Sequence, residues 1–372
     1  MSEVWNMIIQ RLKEMSQYIL LKQISLVGKI WKPYTKLFLI GDNAGWVLDE
    51  EISALIWIAK KLDIQTVYPN IYKYVQRQSV FFSMRYRGLD AVSRGINHRI
   101  GMAYFHGRPG EGNPQFDETY NALCKYHPLI SRIQVSHSEM YDLILGSGID
   151  PQKVFCIPIG IHAAWFRMQT SESKYKARHT LGIPQSSVVV GSFQKDGNGW
   201  GEGMEPKLIK GPDVFLSVMG LLKNKIPELY VLLTGPARGY IKAGLTRMNI
   251  PFHHAYLSKA EDVGEYYQAL DVYLVTSRQE GGPKAVLETM ASGVPLVSTR
   301  VGQAMDLVKH GENGWMVGVE DVEGLFYWSE YIYQHRAGLG ENLRFARQTA
   351  EANSYLNQLP LWSKFMQGFI EG

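Results

Sequence analysis

The sequence is poor in cysteine and contains no long apolar segment, and these absences exclude several classes of protein. Its two cysteines, Cys124 and Cys156, lie far apart in apolar contexts, so we expect buried, reduced thiols rather than a disulfide. No run of 18 apolar residues occurs, and the N-terminus lacks the basic start, apolar middle and small-residue cleavage site of a secretory signal. We therefore expect a protein of the cytoplasm that is soluble or lies peripherally on the membrane.

The sequence also has only a small excess of positive charge, and its first half lacks a glycine-rich cofactor motif. The formal net charge is only +4 and no recognised nucleic-acid-binding motif is present, so nucleic acid is not expected as a partner. No Gly-x-Gly-x-x-Gly follows a strand in the first half, which argues against a dinucleotide cofactor. The chain does have 372 residues, 45% of them hydrophobic and 20% charged, which suits two globular α/β domains of ordinary size.

The first half alternates between strand and helix patterns. Residues 36–41 form a short apolar run, residues 48–61 have helical spacing, and residues 65–68 and 80–84 are again strand-like. Such alternation predicts a parallel sheet with helices on both faces. Because ligands bind these sheets at the carboxyl ends of the strands, we expect the loop around Gly45 to form one wall of a cleft.

The second half contains a strand-turn-helix unit with two carboxylates eight positions apart, Glu280 and Glu288. Residues 271–277 are predicted to form a buried strand, and residues 283–292 a helix that begins with proline and stops at Gly293. Glu280 then lies on the turn after the strand, while Glu288 lies about a turn and a half into the helix. One acid is expected at the mouth of the cleft and the other in its wall.

The residues between the two acids suit a phosphorylated ligand. Gly281 and Gly282 have no Cβ and allow a ligand to approach the backbone, and the amides that open the Pro283 helix point toward any anion in front of them. Glu280 can accept hydrogen bonds from sugar hydroxyls, and Glu288 can accept them from a ribose diol. The pattern predicts a nucleotide-sugar pocket; the alternative is an ordinary strand-turn-helix unit with two solvated glutamates.

The full block reads Ser277-Arg-Gln-Glu280-Gly-Gly-Pro-Lys-Ala-Val-Leu-Glu288-Thr-Met-Ala-Ser-Gly293-Val-Pro-Leu-Val297. It resembles the retaining GT-B glycosyltransferases of family 4, in which a similar Glu-Gly-x-Pro precedes Glu-x-Met-Ala-x-Gly-x-Pro-Val. The resemblance implies an α/β GT-B fold, with two Rossmann-like domains facing across a cleft. It also implies retaining transfer of a sugar from a nucleotide diphosphate sugar to an acceptor, without a metal ion or other cofactor.

The resemblance assigns roles to individual residues. It implies catalytic roles for Glu280, His106 and Lys210. It implies donor binding by Glu288, Gly281, Gly282, Pro283, Lys284, Lys195 and Lys210. Members of the family hold the diphosphate with an arginine after the first glycine of the second domain and a later lysine. Lys210 matches that lysine, whereas the arginine is missing and Lys195 is the substitute candidate; solvated lysines are the alternative.

The resemblance covers residues 135–319 well and the part before them only by architecture. It implies an N-terminal acceptor-side domain over residues 1–165 and a C-terminal nucleotide-sugar-binding domain over residues 166–350. A C-terminal helix within residues 351–372 is expected to cross back to the first domain. Within residues 1–30, helical apolar spacing predicts a further helix, which could pack against the first domain, bind a second subunit or lie on an anionic membrane surface.

Arginines are concentrated between positions 85 and 108. They are Arg85, Arg87, Arg94, Arg99 and Arg108. Such a cluster would attract a phosphate or carboxylate on the acceptor, which favours an anionic glycan, lipid or small molecule, although a solvated basic surface is the alternative. Two other functions stay open. One is a non-hydrolysing sugar-nucleotide epimerase. The other is a catalytically silent sugar-nucleotide-binding protein, which the missing arginine favours.

Overall fold

The computed structural model describes residues 31–41, 47–67, 72, 75–83, 97–105, 108–111, 113–199, 201–257 and 259–371. Several predicted features lie outside these ranges: the helix within residues 1–30, the loop around Gly45, three arginines of the cluster, and His106 with its expected place in the cleft.

The first half of the chain forms a parallel sheet of six strands in the order β2-β1-β3-β4-β5-β6. The strands are β1 Leu37–Ile40, β2 Thr66–Val67, β3 Ser79–Phe82, β4 Arg99–Tyr104, β5 Ile130–Val135 and β6 Val154–Cys156. Helices α1 Val47–Lys61, α2 Pro114–Tyr126 and α3 Ser138–Gly146 lie between them in the chain. The strand-helix alternation predicted a parallel sheet here, and that prediction is confirmed.

The second half forms another parallel sheet of six strands, in the order β12-β11-β10-β7-β8-β9. These strands are β7 Val188–Phe193, β8 Leu229–Thr234, β9 Phe252–Ala255, β10 Val272–Val275, β11 Leu296–Thr299 and β12 Trp315–Val317. The helices are α4 Ser171–Leu181, α5 Pro212–Lys223, α6 Gly239–Arg247, α7 Val263–Tyr267, α8 Lys284–Ser292, α9 Ala304–Leu307, α10 Val322–His335, α11 Gly340–Ala352 and α12 Leu359–Met366.

Both faces of the second sheet are covered by apolar side chains. On β10, Tyr273 and Val275 belong to one buried cluster, while Val272 and Leu274 belong to the cluster on the other face. All four are at most 3% exposed. A strand buried on both faces is a continuous apolar run rather than an alternating one. This explains why the sequence predicts β10 correctly without any alternation of polar and apolar residues.

Helix α8 has sequence-encoded ends. Pro283 is its N-cap, with a φ of −64° that proline adopts without strain, so the helix begins at Lys284 rather than at the proline as predicted. Gly293 ends it in the left-handed conformation at φ 67°.

Strand β4 was not predicted, because its first residue, Arg99, was interpreted as part of a basic patch.

The C-terminal helix α12 packs against the first sheet. Trp362 and Phe365 are buried beside Phe81 of β3, and Arg132 of β5 donates a 3.0 Å hydrogen bond from Nε to the carbonyl of Phe365. The last described segment therefore covers a face of the sheet built by the beginning of the chain. The exact domain boundaries at residues 165 and 350 stay predictions.

Two expectations from the absences can be compared with the structure. Within the described ranges, no helix is both long enough and apolar enough to cross a membrane. Both thiols are free, as expected, but the expectation that both are buried was wrong: Cys124 is half-buried and Cys156 is exposed. Cys156 ends β6, which lies at the edge of the first sheet and pairs only with β5 among the described strands.

We expect Phe365→Ala to destabilise the protein by about 3–5 kcal/mol, because truncating a buried aromatic ring leaves a cavity. The ring is fully buried and lies within 5.8 Å, centroid to centroid, of the rings of Phe81, Phe155, Trp362 and Phe369. Chemical denaturation measures the loss. Leu361→Ala is the matched control, since Leu361 is on the same helix but 43% exposed; equal losses would contradict the packing described here.

Candidate active site

The turn after β10 carries Glu280, whose carboxylate is held on both oxygens. Lys210 Nζ lies 2.5 Å from Oε1 and 2.5 Å from Oε2, and Ser277 Oγ donates a 2.8 Å hydrogen bond to Oε1. Lys210 follows β7 in the chain, and β7 is the neighbour of β10 in the parallel sheet. The carboxyl ends of the two strands lie at the same edge, which brings the lysine and the glutamate together.

Gly211 allows Lys210 to approach this edge. It has a φ of 63° and forms the junction between a short 3₁₀ turn, Leu208–Lys210, and helix α5. A Cβ on Gly211 would overlap the carbonyl of Thr276, and Thr276 Oγ1 donates a 3.0 Å hydrogen bond to the carbonyl of Gly211. A glycine is therefore required here both for the left-handed backbone and for the close contact with the end of β10.

Gly281 and Gly282 are in contact with the first domain. A Cβ on Gly281 would overlap the carbonyl of Phe105, and a Cβ on Gly282 would lie 2.7 Å from Cδ1 of Ile159. Ser136 Oγ donates a 2.7 Å hydrogen bond to the carbonyl of Gly281. In this conformation, residues of the first domain fill the space left by the missing Cβ atoms, whereas we expected that space to be open to a ligand. Donor binding by these glycines stays a prediction.

His137 lies beside this domain contact and was not predicted as a site residue. Its Nδ1 is 3.0 Å from Ser136 Oγ, and its side chain is 1% exposed. Burial lowers the pKa of His137 to about 4. The imidazole is therefore neutral at physiological pH.

Glu288 lies on α8, where it accepts a 2.9 Å hydrogen bond from the hydroxyl of Tyr267. Burial raises the pKa of Glu288 to about 7, although the charge of Lys284 acts in the opposite direction. Close to neutral pH the carboxyl group is therefore partly protonated. The partner Tyr267 comes from α7 and had no recognisable signal in the sequence.

Lys284 is directed into the domain interface. Its Nζ lies 2.5 Å from Glu50 and 3.3 Å from Glu51, both on α1, and 3.3 Å from the hydroxyl of Tyr355. Burial alone would lower the pKa of Lys284, but Tyr355, Glu51 and Glu50 together hold it well above its ordinary value. Its predicted role in donor binding is untested. The contacts described here are made with α1 and with Tyr355.

The missing arginine has a buried counterpart elsewhere in the chain. Arg238, which follows β8, donates from Nη1 to the carbonyls of Ser192 at 2.7 Å and Gln194 at 2.8 Å, and its Nη2 lies 3.0 Å from Asp196 Oδ2. These three partners surround Lys195, which is only partly exposed and whose pKa is lowered by burial. Arg238 thus shapes the loop that carries the candidate diphosphate ligand, although only tertiary structure brings the two together.

A cavity of about 290 Å³ opens between the two halves of the molecule next to Glu280. The first domain contributes Arg108, His137 and Glu139 to its wall, and the second domain contributes Glu280 and Arg300. Charged groups from two separate domains therefore meet around one space, in the position expected for a cleft between two such domains.

The predicted arginine cluster is only partly represented at this cavity. Arg85, Arg87 and Arg94 lie outside the described residues. Arg99 forms a 2.7 Å ion pair with Glu371, whereas Arg108 reaches the cavity and contacts Glu111 and Glu139. Within the part of the chain that the structure describes, no group of three or more histidine, cysteine, aspartate or glutamate side chains could hold a metal ion.

The second half of the chain is similar to known glycosyltransferases. Residues 203–357 match the family model of glycosyl transferases group 1. The lipopolysaccharide core biosynthesis mannosyltransferase LpsB of Rhizobium meliloti (strain 1021) is 26% identical over 168 residues, 43% of this chain and 45% of that protein. A D-inositol 3-phosphate glycosyltransferase of Corynebacterium urealyticum is 26% identical over 211 residues, 53% of this chain and 46% of that protein. The matched part is less than half the length of each relative.

The solved structure of Anabaena Alr3699/HepE in complex with UDP and glucose is similar over nearly its whole length. Its TM-score is 0.69 at 16% sequence identity, with 90% of this chain and 99% of that chain covered. The chain has the GT-B fold. The predicted resemblance to GT-B glycosyltransferases is thereby confirmed, whereas the retaining mechanism and membership of family 4 stay predictions. Lys210, Glu280 and Glu288 all lie in the segment of this GT-B chain that matches the group 1 model.

The raised pKa of Glu288 predicts a pH-dependent effect on stability. Because its value in the folded protein, about 7, exceeds the ordinary 4.5, the folded chain holds a proton that the unfolded chain releases. The stabilisation is complete below the unfolded pKa and is lost as the pH rises through the folded one. As the pH rises from about 5 to about 8, we expect the free energy of unfolding of Glu288→Gln to increase by about 2 kcal/mol relative to that of the unmodified protein.

Denaturant titrations at a series of pH values measure this trend. Glu265→Gln is the control, because Glu265 is exposed and forms only a surface ion pair with Arg167. If both variants showed the same pH dependence, burial of Glu288 would not be the cause.

Proposed function

We propose that this chain is a retaining glycosyltransferase, which moves a sugar from a nucleotide diphosphate sugar to an acceptor. The observation that carries the proposal is the Lys210–Glu280 ion pair at the carboxyl edge of the second sheet, inside the segment that matches the group 1 family model. The UDP and glucose in the complex of Anabaena Alr3699/HepE, which has the same fold, support a nucleotide-sugar donor.

Lys210 would act on the diphosphate. An ammonium group has three N–H donors, so Lys210 can keep one hydrogen bond to Glu280 while it donates to a phosphate oxygen. Lys195, on the loop that Arg238 organises, would supply the second positive charge. Two cations at the leaving group stabilise the negative charge that develops as the bond between the sugar and the phosphate breaks, which is the task a metal ion performs in other transferases.

Glu280 would orient the sugar rather than attack it. Both of its oxygens are occupied by Lys210 and one also by Ser277, which makes the carboxylate a poor nucleophile and a well-fixed hydrogen-bond acceptor. In the retaining route implied by the resemblance, an acceptor oxygen attacks the anomeric carbon from the side of the leaving group. The bond to the phosphate breaks, and the departing phosphate takes the acceptor proton.

Glu288 would bind the ribose of the donor. Its carboxyl group already accepts one hydrogen bond, from Tyr267, and has further acceptor capacity for a hydroxyl pair. The two glycines of the turn would become available to the donor when Gly281 separates from Phe105, a movement of one domain relative to the other. Closure around the donor would then exclude water.

The acceptor is proposed to be anionic. The exposed Arg300 lines the cavity beside Glu280, and D-inositol 3-phosphate, named for the Corynebacterium relative, carries a phosphate. A glycan, a lipid or a small molecule with an acidic group would each satisfy this requirement, and a lipid acceptor would bring the protein to a membrane surface.

We expect Lys210→Ala to lower the rate of transfer by about a hundredfold or more, because a preorganised charge at the leaving group is lost. The measurement is release of nucleoside diphosphate from a panel of nucleotide sugars, with and without candidate acceptors. Lys225→Ala is the control, because Lys225 is an exposed lysine on the loop between α5 and β8. Equal rates in both variants would contradict the role of Lys210. An epimerised donor formed without any acceptor would contradict transfer itself.

A further inference from the structure

The cavity beside Glu280 contains arginines whose charges are mostly compensated. Arg108 contacts both Glu111 and Glu139, so two carboxylates balance it. The two carboxylates carry more negative charge than the single positive charge of Arg108. The first domain therefore contributes no excess positive charge from its described lining residues.

Arg278 is compensated from the second domain. Its Nη2 lies 2.7 Å from Asp213 Oδ2, and its Nε lies 2.6 Å from Glu320 Oε1. These carboxylates raise the pKa of Arg278 above its ordinary range, first through the hydrogen bonds that its guanidinium group donates to Asp213. The guanidinium group is therefore fixed as part of the wall and is not free to bind a ligand with its whole donor set.

Arg300 is different. It is exposed, it lines the cavity, and its guanidinium group has no ion-pair or hydrogen-bond partner among the residues that the structure describes. Its backbone is well fixed, because it follows β11 directly and its N–H donates a 2.9 Å hydrogen bond to the carbonyl of Val317. Two positions later, a Cβ on Gly302 would lie 2.6 Å from the carbonyl oxygen of Glu280. The free charge is thus attached to backbone that packs on the candidate catalytic turn.

We propose that Arg300 binds an anionic group of the acceptor, a phosphate or a carboxylate, in the cavity that Glu280 lines and Lys210 does not. This inference rests on the proposed function. A guanidinium group presents two parallel N–H donors to such an oxyanion, a geometry that a lysine cannot offer. The donor diphosphate is assigned to Lys210 and Lys195, which do not line this space, so the two anions would occupy different sides of Glu280.

The size of the cavity limits the acceptor. About 290 Å³ is near the lower end of ligand pockets and suits a monosaccharide-sized group with one acidic substituent. Arg300 therefore acts as a specificity residue: it selects an acidic acceptor over its neutral counterpart, and it places the acceptor against Glu280.

The test compares matched ligands on the whole chain, by calorimetric titration with and without saturating UDP. The probes are glucose 6-phosphate and glucuronate, each against glucose. We expect the unmodified protein to prefer the anionic probes, and Arg300→Gln to bind them about tenfold more weakly. Arg300→Lys should retain part of the preference, and rising salt should reduce it.

Arg247→Gln is the charge-matched control, because Arg247 is an exposed arginine at the end of α6 and does not line the cavity. It should bind every probe as the unmodified protein does. The inference is overturned if the anions bind no better than glucose, or if their advantage survives in Arg300→Gln. Failure of UDP to bind would contradict the proposed donor site instead, and the titrations without UDP would still decide the role of Arg300.

Discussion

The ion pair between Lys210 and Glu280 is the interaction on which the site depends. It joins two loops whose residues are 70 positions apart, and it does so because β7 and β10 are parallel neighbours whose carboxyl ends lie at one edge. In a parallel sheet, every loop that follows a strand emerges at that edge, so groups from distant parts of the sequence meet without any special device. Each of the two charges thus has a partner within the protein.

The second constraint is the close approach of the two domains at the turn 280–282. Glycines at positions 281 and 282 let the turn touch Phe105 and Ile159 of the first domain. Nearby, Lys284 lies among acidic groups of α1 and the hydroxyl of Tyr355. Buried charges of this kind are tolerated only when they are paired, and here the pairing joins α8 to α1. The same helix, α8, carries Glu288, so it joins the proposed donor site to the domain contact.

Prediction from sequence succeeded where a segment has its own local signal. The continuous apolar runs of β1 and β10 and the stop of α8 at Gly293 could all be predicted, because burial on both faces and the left-handed C-cap depend on few neighbouring residues. Strand β4 was missed because its first residue, Arg99, was interpreted as part of a basic patch. Arg238 and Tyr267 were missed as well, since their partners come from other elements and no spacing rule connects them.

By itself, the sequence determined the class of the fold and the identity of the chemically capable residues. Alternating strands and helices predict a parallel sheet, and the residues around the glycine turn predict one glutamate at a strand end and the other on the following helix. Only the tertiary structure decided what those residues face. It directed Lys284 to α1, filled the space beside Gly281 with Phe105, and left Arg300 uncompensated among the described residues of the cavity. The physical reason is that charge and contact are properties of neighbours in space, which the order of residues along one chain does not specify.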